Sequence, residues 1–192
     1  MESPPGELAV NVGPAAPAET PAVLAVVRAA FGDEGDVVAG LVRALLEESG
    51  TPAALRASLV AREPGGAVAG HVALTRGWLD AERRLVEVLV LSPLSVRPDL
   101  QRRGIGRSLV EAAVAEAEQR GYPLVLLEGD PAYYGRLGFE PATRHDMTPP
   151  SVRIPGPACQ VRLLPAYESW MTGALVYPDV FWRLDLVGLR SQ

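Results

Sequence analysis

The sequence predicts a mixed α/β fold, in which helices cover a sheet that holds both antiparallel and parallel strand pairs. The apolar residues 59–62 and 68–74 flank Glu63-Pro64-Gly65-Gly66, a turn sequence typical of an antiparallel hairpin. Between residues 85 and 127, an apolar strand, an amphipathic helix and a second apolar strand follow one another. Strands joined through a helix pair in parallel with a right-handed crossover. Both kinds of strand pair are therefore expected in one sheet.

Local patterns predict the remaining elements. Thr20-Pro21 supplies the N-cap and first-turn residues that open a helix. Apolar residues at helical spacing predict a second helix from Asp36 to near Gly50, where a glycine can cap it. The other predicted elements are a first strand at 8–12, a charged loop at 79–84, a proline-containing loop at 144–157, and late strands at 159–164 and 173–176.

Length and composition favour one domain spanning residues 1–192, with a core at about 7–145 and C-terminal strands at about 158–181 that complete the sheet. The formal net charge of −5 argues against a general nucleic-acid binder, because phosphate affinity needs an excess of clustered cations. No apolar run approaches about 18 residues and no basic-then-apolar leader is visible, so we expect a cytoplasmic protein without membrane contact. The single cysteine, Cys159, and two well-separated histidines, His71 and His145, predict neither disulfides nor a metal site.

A glycine motif lies between the strand at 85–96 and the helix that follows it. Its residues are Gln101-Arg102-Arg103-Gly104-Ile105-Gly106. Two glycines one residue apart at a helix start let backbone N–H groups point at an anion, and the helix dipole adds partial positive charge. Arg102, Arg103 and Arg107 add full charges. The motif therefore predicts a site for a pyrophosphate.

Other structures also contain paired glycines. A dinucleotide-binding fingerprint needs a third glycine, and Leu109 stands at that place. A Walker loop needs Gly-Lys followed by Ser or Thr, which does not occur here. A structural turn at the basic end of an exposed helix stays open on this motif alone.

The glycine motif resembles the acetyl-CoA signature of the GCN5-related N-acetyltransferases, the GNAT family, which reads Gln/Arg-x-x-Gly-x-Gly/Ala. A second string, Tyr134-Gly135-Arg136-Leu137-Gly138-Phe139, is similar to the family's tyrosine followed by three residues and Gly-Phe. Residues 129–139 as a whole resemble a bacterial subfamily of predicted N-acetyltransferases that usually carry Phe where Leu137 stands. The likeness extends over roughly residues 55–181.

The resemblance implies a mostly antiparallel central sheet of about seven strands, splayed at the cofactor strand and flanked by helices. It implies direct transfer of an acetyl group from acetyl-CoA to a primary amine within a ternary complex. Tyr134 would protonate the leaving thiolate. The amides of Leu94 and Val96 would bind pantetheine, and those of residues 102–108 the pyrophosphate. The expected cofactor-binding residues are Leu94, Ser95, Val96, Gln101, Arg102, Arg103, Gly104, Gly106, Arg107, Ser108 and Tyr133.

Two features depart from the family pattern. Many members carry Asn near the end of the strand before the tyrosine helix, whereas Gly129-Asp130-Pro131 stands here. No general base is evident. Glu87 on the cofactor strand is a weak candidate, better explained as a solvent-facing residue, and His71 is better explained as a core or edge histidine than as a group at the acceptor site.

Several alternatives stay open. The main rival function is a non-catalytic acyl-CoA-binding sensor or partner protein with the same fold. The acceptor's identity is not predicted, and small amines, antibiotics, amino acids and protein amines all fit. Asp33, Glu34 and Asp36 could attract a cationic amine, although turn and capping roles are more common. The apolar residues Trp170, Phe181 and Trp182 could finish the core or form a homodimer interface.

Overall fold

A nine-stranded sheet and five α-helices make up the computed structural model, which describes residue 6, residues 8–47 and residues 54–188. The strands are β1 (Asn11–Pro14), β2 (Leu55–Arg62), β3 (Val68–Ala81), β4 (Arg84–Val96), β5 (Leu124–Glu128), β6 (Glu140–Pro141), β7 (Met147–Thr148), β8 (Cys159–Leu163) and β9 (Gly173–Val176). The helices are α1 (Thr20–Phe31), α2 (Gly35–Glu47), α3 (Ile105–Gln119), α4 (Pro131–Tyr134) and α5 (Asp179–Arg183).

The sheet is mixed and mostly antiparallel, as predicted. Seven strands follow one another in the order β1-β2-β3-β4-β5-β8-β6, and β9 pairs with both β3 and β7. Among the described strands, only the β4–β5 and β7–β9 pairs are parallel. The parallel β4–β5 pair is joined through α3, which matches the expected crossover. The predicted hairpin is also confirmed, because β2 and β3 pair antiparallel across residues 63–67.

Strand β4 separates from β5 partway along its length. The two strands pair only at Leu89 with Val125 and at Val90 with Leu126. Beyond that point β4 stays paired with β3, but with a bulge: Leu91 faces Leu74 and Leu94 faces Val72, so β4 has one extra residue. A bulge of this kind bends the strand that contains it. The result is a gap between the last residues of β4 and the end of β5, as the fold prediction implies.

Helices cover both faces of the sheet. Neighbouring residues on a strand point to opposite faces, and on β2 the side chains of Leu59 and Val60 are buried in different clusters. Leu59 packs with the apolar face of α3, including the fully buried Leu109. Val60 packs with α1 and α2. Burying a leucine side chain such as that of Leu109 stabilises the fold by about 2 kcal/mol, so these two layers hold α3 on one face of the sheet at β2 and α1 with α2 on the other.

Some predicted boundaries need correction. The first strand is Asn11–Pro14 rather than residues 8–12, because residues 11–14 are the ones that pair with β2. The predicted charged loop at 79–84 is instead the paired ends of β3 and β4, with only residues 82–83 as the turn. Leu79 and Asp80 are held in the sheet by both β4 and β9. Helix α5 occupies residues that were expected to continue the late strands, and β7 lies within the predicted loop at 144–157. The predicted end of the second helix near Gly50 lies outside the described residues.

Within residues 8–47 and 54–188, no helix combines the length and the apolar composition needed to cross a membrane.

Candidate active site

Two adjoining cavities open where β4 separates from β5. The larger has a volume of about 730 Å³ and lies between α1, α2, the end of β5 and the tail around α5. The smaller, about 380 Å³, lies over the start of α3 and is called the glycine-turn cavity below. Phe31 and Leu94 line both. A molecule that fills the glycine-turn cavity can therefore reach the larger cavity along β4.

The glycine-turn cavity is built from the predicted anion site. Gly104 is the N-cap of α3 and has a φ of 84°, a left-handed conformation that glycine adopts without steric cost. Arg102 also has a positive φ, 60°. The first turn of an α-helix does not use its N–H groups in the helix's own hydrogen-bond ladder, so the start of α3 is suited to bind an anion. Five of the predicted cofactor-binding residues of the motif line this cavity: Gln101, Arg102, Gly104, Gly106 and Arg107.

Gly106 leaves the space above the first turn of α3 open. A β-carbon at this position would lie 2.6 Å from the hydroxyl oxygen of Tyr133 and 3.7 Å from a methyl carbon of Val96. Tyr133 is 37% exposed and lines the same cavity. A side chain at position 106 would therefore occupy the cavity itself, between the helix start and the Tyr133 phenol.

The backbone of β4 offers donors toward the gap. The N–H of Arg97 donates to the carbonyl of Ala69 at 2.9 Å, on the β3 side. Since N–H groups alternate in direction along a strand, the N–H of Ser95 also faces β3, whereas those of Leu94 and Val96 face the gap. Gln101 fits this arrangement, because its side-chain amide donates to the Val96 carbonyl at 3.2 Å. The two amides named from the resemblance thus point to the side from which β5 is missing.

Three predicted cofactor-binding residues have side chains that line neither cavity. Ser95 is buried, and its hydroxyl donates to the His71 carbonyl at 3.4 Å. The Ser108 hydroxyl donates to the Gly104 carbonyl at 3.4 Å within the helix start. Arg103 anchors the N-terminal segment, because its carbonyl accepts the Leu8 N–H at 3.0 Å. Cofactor contacts through these side chains are not supported by this placement, and contacts through their amides stay a prediction.

Tyr134 lies at the end of α4 and lines the larger cavity beside Leu94. Asp130 starts the helix by accepting the Ala132 N–H at 2.8 Å, and Pro131 occupies the first turn. Edge-to-face contacts with Tyr133 and Phe139, at ring-centre distances of 4.9 and 5.8 Å, fix the Tyr134 ring. Burial, and to a smaller extent the neighbouring Tyr133, raises the pKa of Tyr134 above its ordinary value of 10.0. The phenol therefore keeps its proton at neutral pH.

Comparison with known proteins agrees with this geometry. The family model described as "Acetyltransferase (GNAT) domain" matches residues 55–141. YhbS, an uncharacterized N-acetyltransferase of Escherichia coli K12, is 34% identical over 170 residues, which cover 87% of this chain and 95% of YhbS. The chain belongs to the GNAT family. YjhQ, an uncharacterized N-acetyltransferase of the same organism, is 35% identical over 152 residues, 78% of this chain and 80% of YjhQ.

Two solved GNAT structures share the fold. A structure of E. coli YhbS in complex with CoA superposes with a TM-score of 0.80 at 29% identity, covering 95% of this chain and 97% of YhbS. A GNAT acetyltransferase from Brucella melitensis in complex with acetyl-CoA gives a TM-score of 0.66 at 26% identity, over 90% of this chain and 98% of the other. The GNAT fold predicted from the two sequence motifs is thereby confirmed.

Glu87, the weak candidate for the general base of a GNAT enzyme, lines neither cavity. Its carboxylate accepts hydrogen bonds from the Arg56 Nε at 2.9 Å and from the Tyr122 hydroxyl at 3.1 Å. This network ties β2, β4 and the end of α3 together. The structure therefore gives Glu87 a role in holding these elements in place and does not place its carboxylate at either cavity.

His71 and Cys159 are buried core residues and do not line the site. His71 is fully buried, with its Nε2 2.9 Å from the Ser58 hydroxyl, and burial lowers its pKa to about 4. Cys159 is also fully buried, and burial raises its pKa to about 12. Neither lines a cavity. In the part of the chain that the structure describes, no group of three or more His, Cys, Asp or Glu side chains could hold a metal ion.

The sequence analysis missed most of the larger cavity. Of the acidic residues considered between the first two helices, Glu34 lines it, whereas Asp36 pairs with Arg28 at 2.9 Å. Glu128, the last residue of β5, and Arg153 also line it. A signal for Glu128 was available, because it ends the buried strand directly before the tyrosine helix that GNAT members use. The cavity is completed by tail residues, namely Tyr177, Phe181, Asp185, Leu186 and Gly188.

Proposed function

We propose that this chain is an acetyl-CoA-dependent N-acetyltransferase that transfers the acetyl group directly to a primary amine within a ternary complex. The observation that carries the proposal is the pair of joined cavities. The glycine-turn cavity suits the diphosphate end of a CoA thioester, and the larger cavity, which contains Tyr134, suits the acceptor. The shared wall at Leu94 and Phe31 is the place where the two substrates would meet.

The residues present fit acetyl-CoA. The open space over Gly106 and the N–H groups at the start of α3 suit a pyrophosphate, as do the positive charges of Arg102 and of Arg107, whose guanidinium also pairs with Glu111 at 2.8 Å. The outward N–H groups of Leu94 and Val96 suit the amide-containing pantetheine arm. The CoA and acetyl-CoA complexes of the YhbS and Brucella structures support the same choice of donor.

The chemistry needs three contributions from the chain. Holding the thioester and the amine together converts a bimolecular reaction into one within a complex. This lowers the activation free energy by up to about 7–11 kcal/mol. A backbone N–H of β4 stabilises the carbonyl oxygen as the amine nitrogen attacks its carbon. When the C–S bond breaks, Tyr134 donates its proton to the thiolate, and water returns a proton from the new amide nitrogen to the phenolate.

Direct transfer fits the position of the one cysteine in the chain. An acyl-enzyme route would need a reactive thiolate at the site. Cys159 is fully buried with a pKa raised to about 12, and it lines neither cavity. The acetyl group is thus expected to pass from sulfur to the acceptor nitrogen without stopping on a thiol of the protein.

The first test is calorimetric titration with acetyl-CoA, with NAD and ATP as controls, followed by an assay of CoA thiol release with a panel of amines. We expect micromolar binding of acetyl-CoA alone and amine-dependent release of CoA. Binding without release in the presence of any amine would favour the non-catalytic sensor. No binding to the folded protein would overturn the proposal and leave the glycine motif as a structural turn.

A further inference from the structure

Glu128 places a carboxylate inside the larger cavity, next to the Tyr134 helix. It is the last residue of β5, faces Cys159 across the β5–β8 pair, and is followed by Gly129, which touches the Tyr134 ring. One carboxylate oxygen accepts the backbone N–H of Gly188 at 3.2 Å. Glu128 lines the cavity in which an acceptor would lie, and among the described residues no salt bridge to its carboxylate lies within 4.0 Å.

We propose that Glu128 binds the ammonium group of the acceptor and takes a proton from it, and that the acceptor is a small primary amine with an apolar body. This inference rests on the proposed acetyltransferase function and names its substrate class and base. The ammonium N–H bond breaks, its proton goes to a Glu128 oxygen, and the electron pair left on nitrogen attacks the acetyl carbonyl. The protonated carboxyl then releases its proton to water after the product leaves.

The charges around Glu128 favour this role. Arg153 is the cation of this cavity, and its guanidinium is shared with the Asp185 carboxylate at 3.1 Å and the Gly188 carbonyl at 3.4 Å. Tyr177 and Cys159 also interact with Glu128, and both are neutral because burial raises their pKa values. Burial also raises the pKa of Glu128, against smaller lowering effects from the Gly188 N–H and Arg153. A carboxylate in this setting gains from an arriving ammonium group, and it is more basic than an exposed glutamate.

Apart from Glu34, which is exposed, and the paired Arg153 and Asp185, the rest of the wall is mostly apolar. Phe31, Val38, Leu41, Tyr177, Phe181 and Leu186 surround the volume that an acceptor's body would fill. A second ammonium group placed against these side chains would lose its hydration without a partner, which is costly. A peptide segment would bring several backbone N–H and C=O groups to the same wall. The cavity of about 730 Å³ also has to hold the thioester end of the donor, which limits the acceptor's size.

The test compares Glu128→Gln with Glu87→Gln. Glutamine keeps the shape of the side chain and can still accept the Gly188 N–H, but it cannot take a proton. Glu87 is the matched control, since it is a half-buried carboxylate on β4 outside both cavities. Both variants are assayed for acetyl-CoA affinity and for amine-dependent CoA release across pH, with 2-phenylethylamine, spermidine and a lysine-containing peptide as acceptors.

We expect the wild-type protein to prefer 2-phenylethylamine. For Glu128→Gln we expect kcat/KM for the amine to fall at least about 100-fold with acetyl-CoA affinity unchanged. The fall of wild-type kcat/KM at low pH, set by protonation of Glu128, should disappear in this variant and persist in Glu87→Gln. Glu128→Asp, which keeps a carboxylate, should retain that acid limb at a reduced rate even if the Gln variant is unstable.

The failures are distinguishable. Unchanged kcat/KM in Glu128→Gln, with an active wild-type protein, would overturn the role of Glu128 and leave the acetyltransferase function standing. A preference for spermidine or the peptide would overturn the acceptor class. Binding of acetyl-CoA without CoA release in the wild-type protein would overturn the proposed function itself.

Discussion

Gly129 lies directly against the face of Tyr134. A β-carbon at position 129 would come within 2.8 Å of Cδ2 of the Tyr134 ring and closer still to Cε2. The Gly129 backbone is itself fixed, since its N–H donates to the Ala158 carbonyl at 3.0 Å and its carbonyl accepts the Gln160 side-chain amide at 3.1 Å. The position of the phenol therefore depends on the absence of a side chain at the end of β5.

Replacing Gly129 with Ala should push the Tyr134 ring out of place. We expect kcat to fall at least about 10-fold, because small misplacement of a proton donor is costly, while acetyl-CoA affinity stays within about twofold. Steady-state kinetics and calorimetry measure the two effects. Gly135→Ala is the matched control, because a β-carbon there meets nothing within 4 Å. Equal losses in the two variants would contradict the positioning role of Gly129.

Removing the Tyr134 hydroxyl tests the proposed acid. Tyr134→Phe keeps the ring contacts with Tyr133 and Phe139 but cannot protonate the thiolate. We expect kcat to fall by roughly 10²-fold with little change in acetyl-CoA binding. Tyr133→Phe should have a much smaller effect on kcat, because Tyr133 faces the glycine-turn cavity. Turnover at the wild-type rate in Tyr134→Phe would eliminate this phenol as the acid.

A negative side chain at position 106 should block the diphosphate. In Gly106→Glu the new side chain fills the cavity beside Tyr133, and its charge repels the pyrophosphate. We expect the Kd for acetyl-CoA to rise at least about 100-fold, and folding to be retained because an acidic residue in the first helical turn suits the helix dipole. Gly65→Glu makes the same change where a β-carbon meets nothing within 4 Å. Unimpaired binding in folded Gly106→Glu would place the diphosphate elsewhere.

His71 should make stability fall in mild acid. Its pKa is about 4 in the folded protein and 6.5 in the reference state, so the unfolded chain binds more protons between these values. The contribution of His71 to the free energy of unfolding is therefore fully present above pH 6.5 and declines as the pH falls toward 4. We expect a loss of about 2 kcal/mol between pH 7.5 and pH 5, measured by urea unfolding. His71→Gln should reduce that loss, whereas His145→Gln, which retains His71, should keep it.

Features encoded by a few adjacent residues were predictable. The hairpin at 63–66 and the helix start at Gly104 each depend on local backbone preferences, whereas the role of Tyr134, taken from a short string, stays a prediction. The charged residues 79–84 were misassigned because β9, almost a hundred residues later, pairs with Leu79 and Asp80 and keeps them in the sheet. Polarity alone cannot show such a pairing.

The larger cavity was not predictable for a related reason. Its wall combines α1, α2, the end of β5 and the tail, and no motif joins Glu34, Glu128 and Phe181 in the sequence. Their proximity results from long-range packing of helices and strands. An apolar face can pack against many other apolar faces, so the sequence does not show which elements come together. The position of Glu128 directly before the tyrosine helix suggests a carboxylate near the site. The sequence does not show which residues surround that carboxylate.

The shared wall at Leu94 suggests a design for an inhibitor. Because Leu94 lines both cavities, we expect CoA joined through a two-carbon bridge to an apolar amine to occupy both at once. Linking two ligands makes the binding of the second half intramolecular, so the conjugate should bind roughly 10²-fold or more tightly than CoA alone. A bulky residue at position 94 would separate the two cavities. The conjugate could then bind through only one of its halves at a time, and the affinity gained from linking them would be lost.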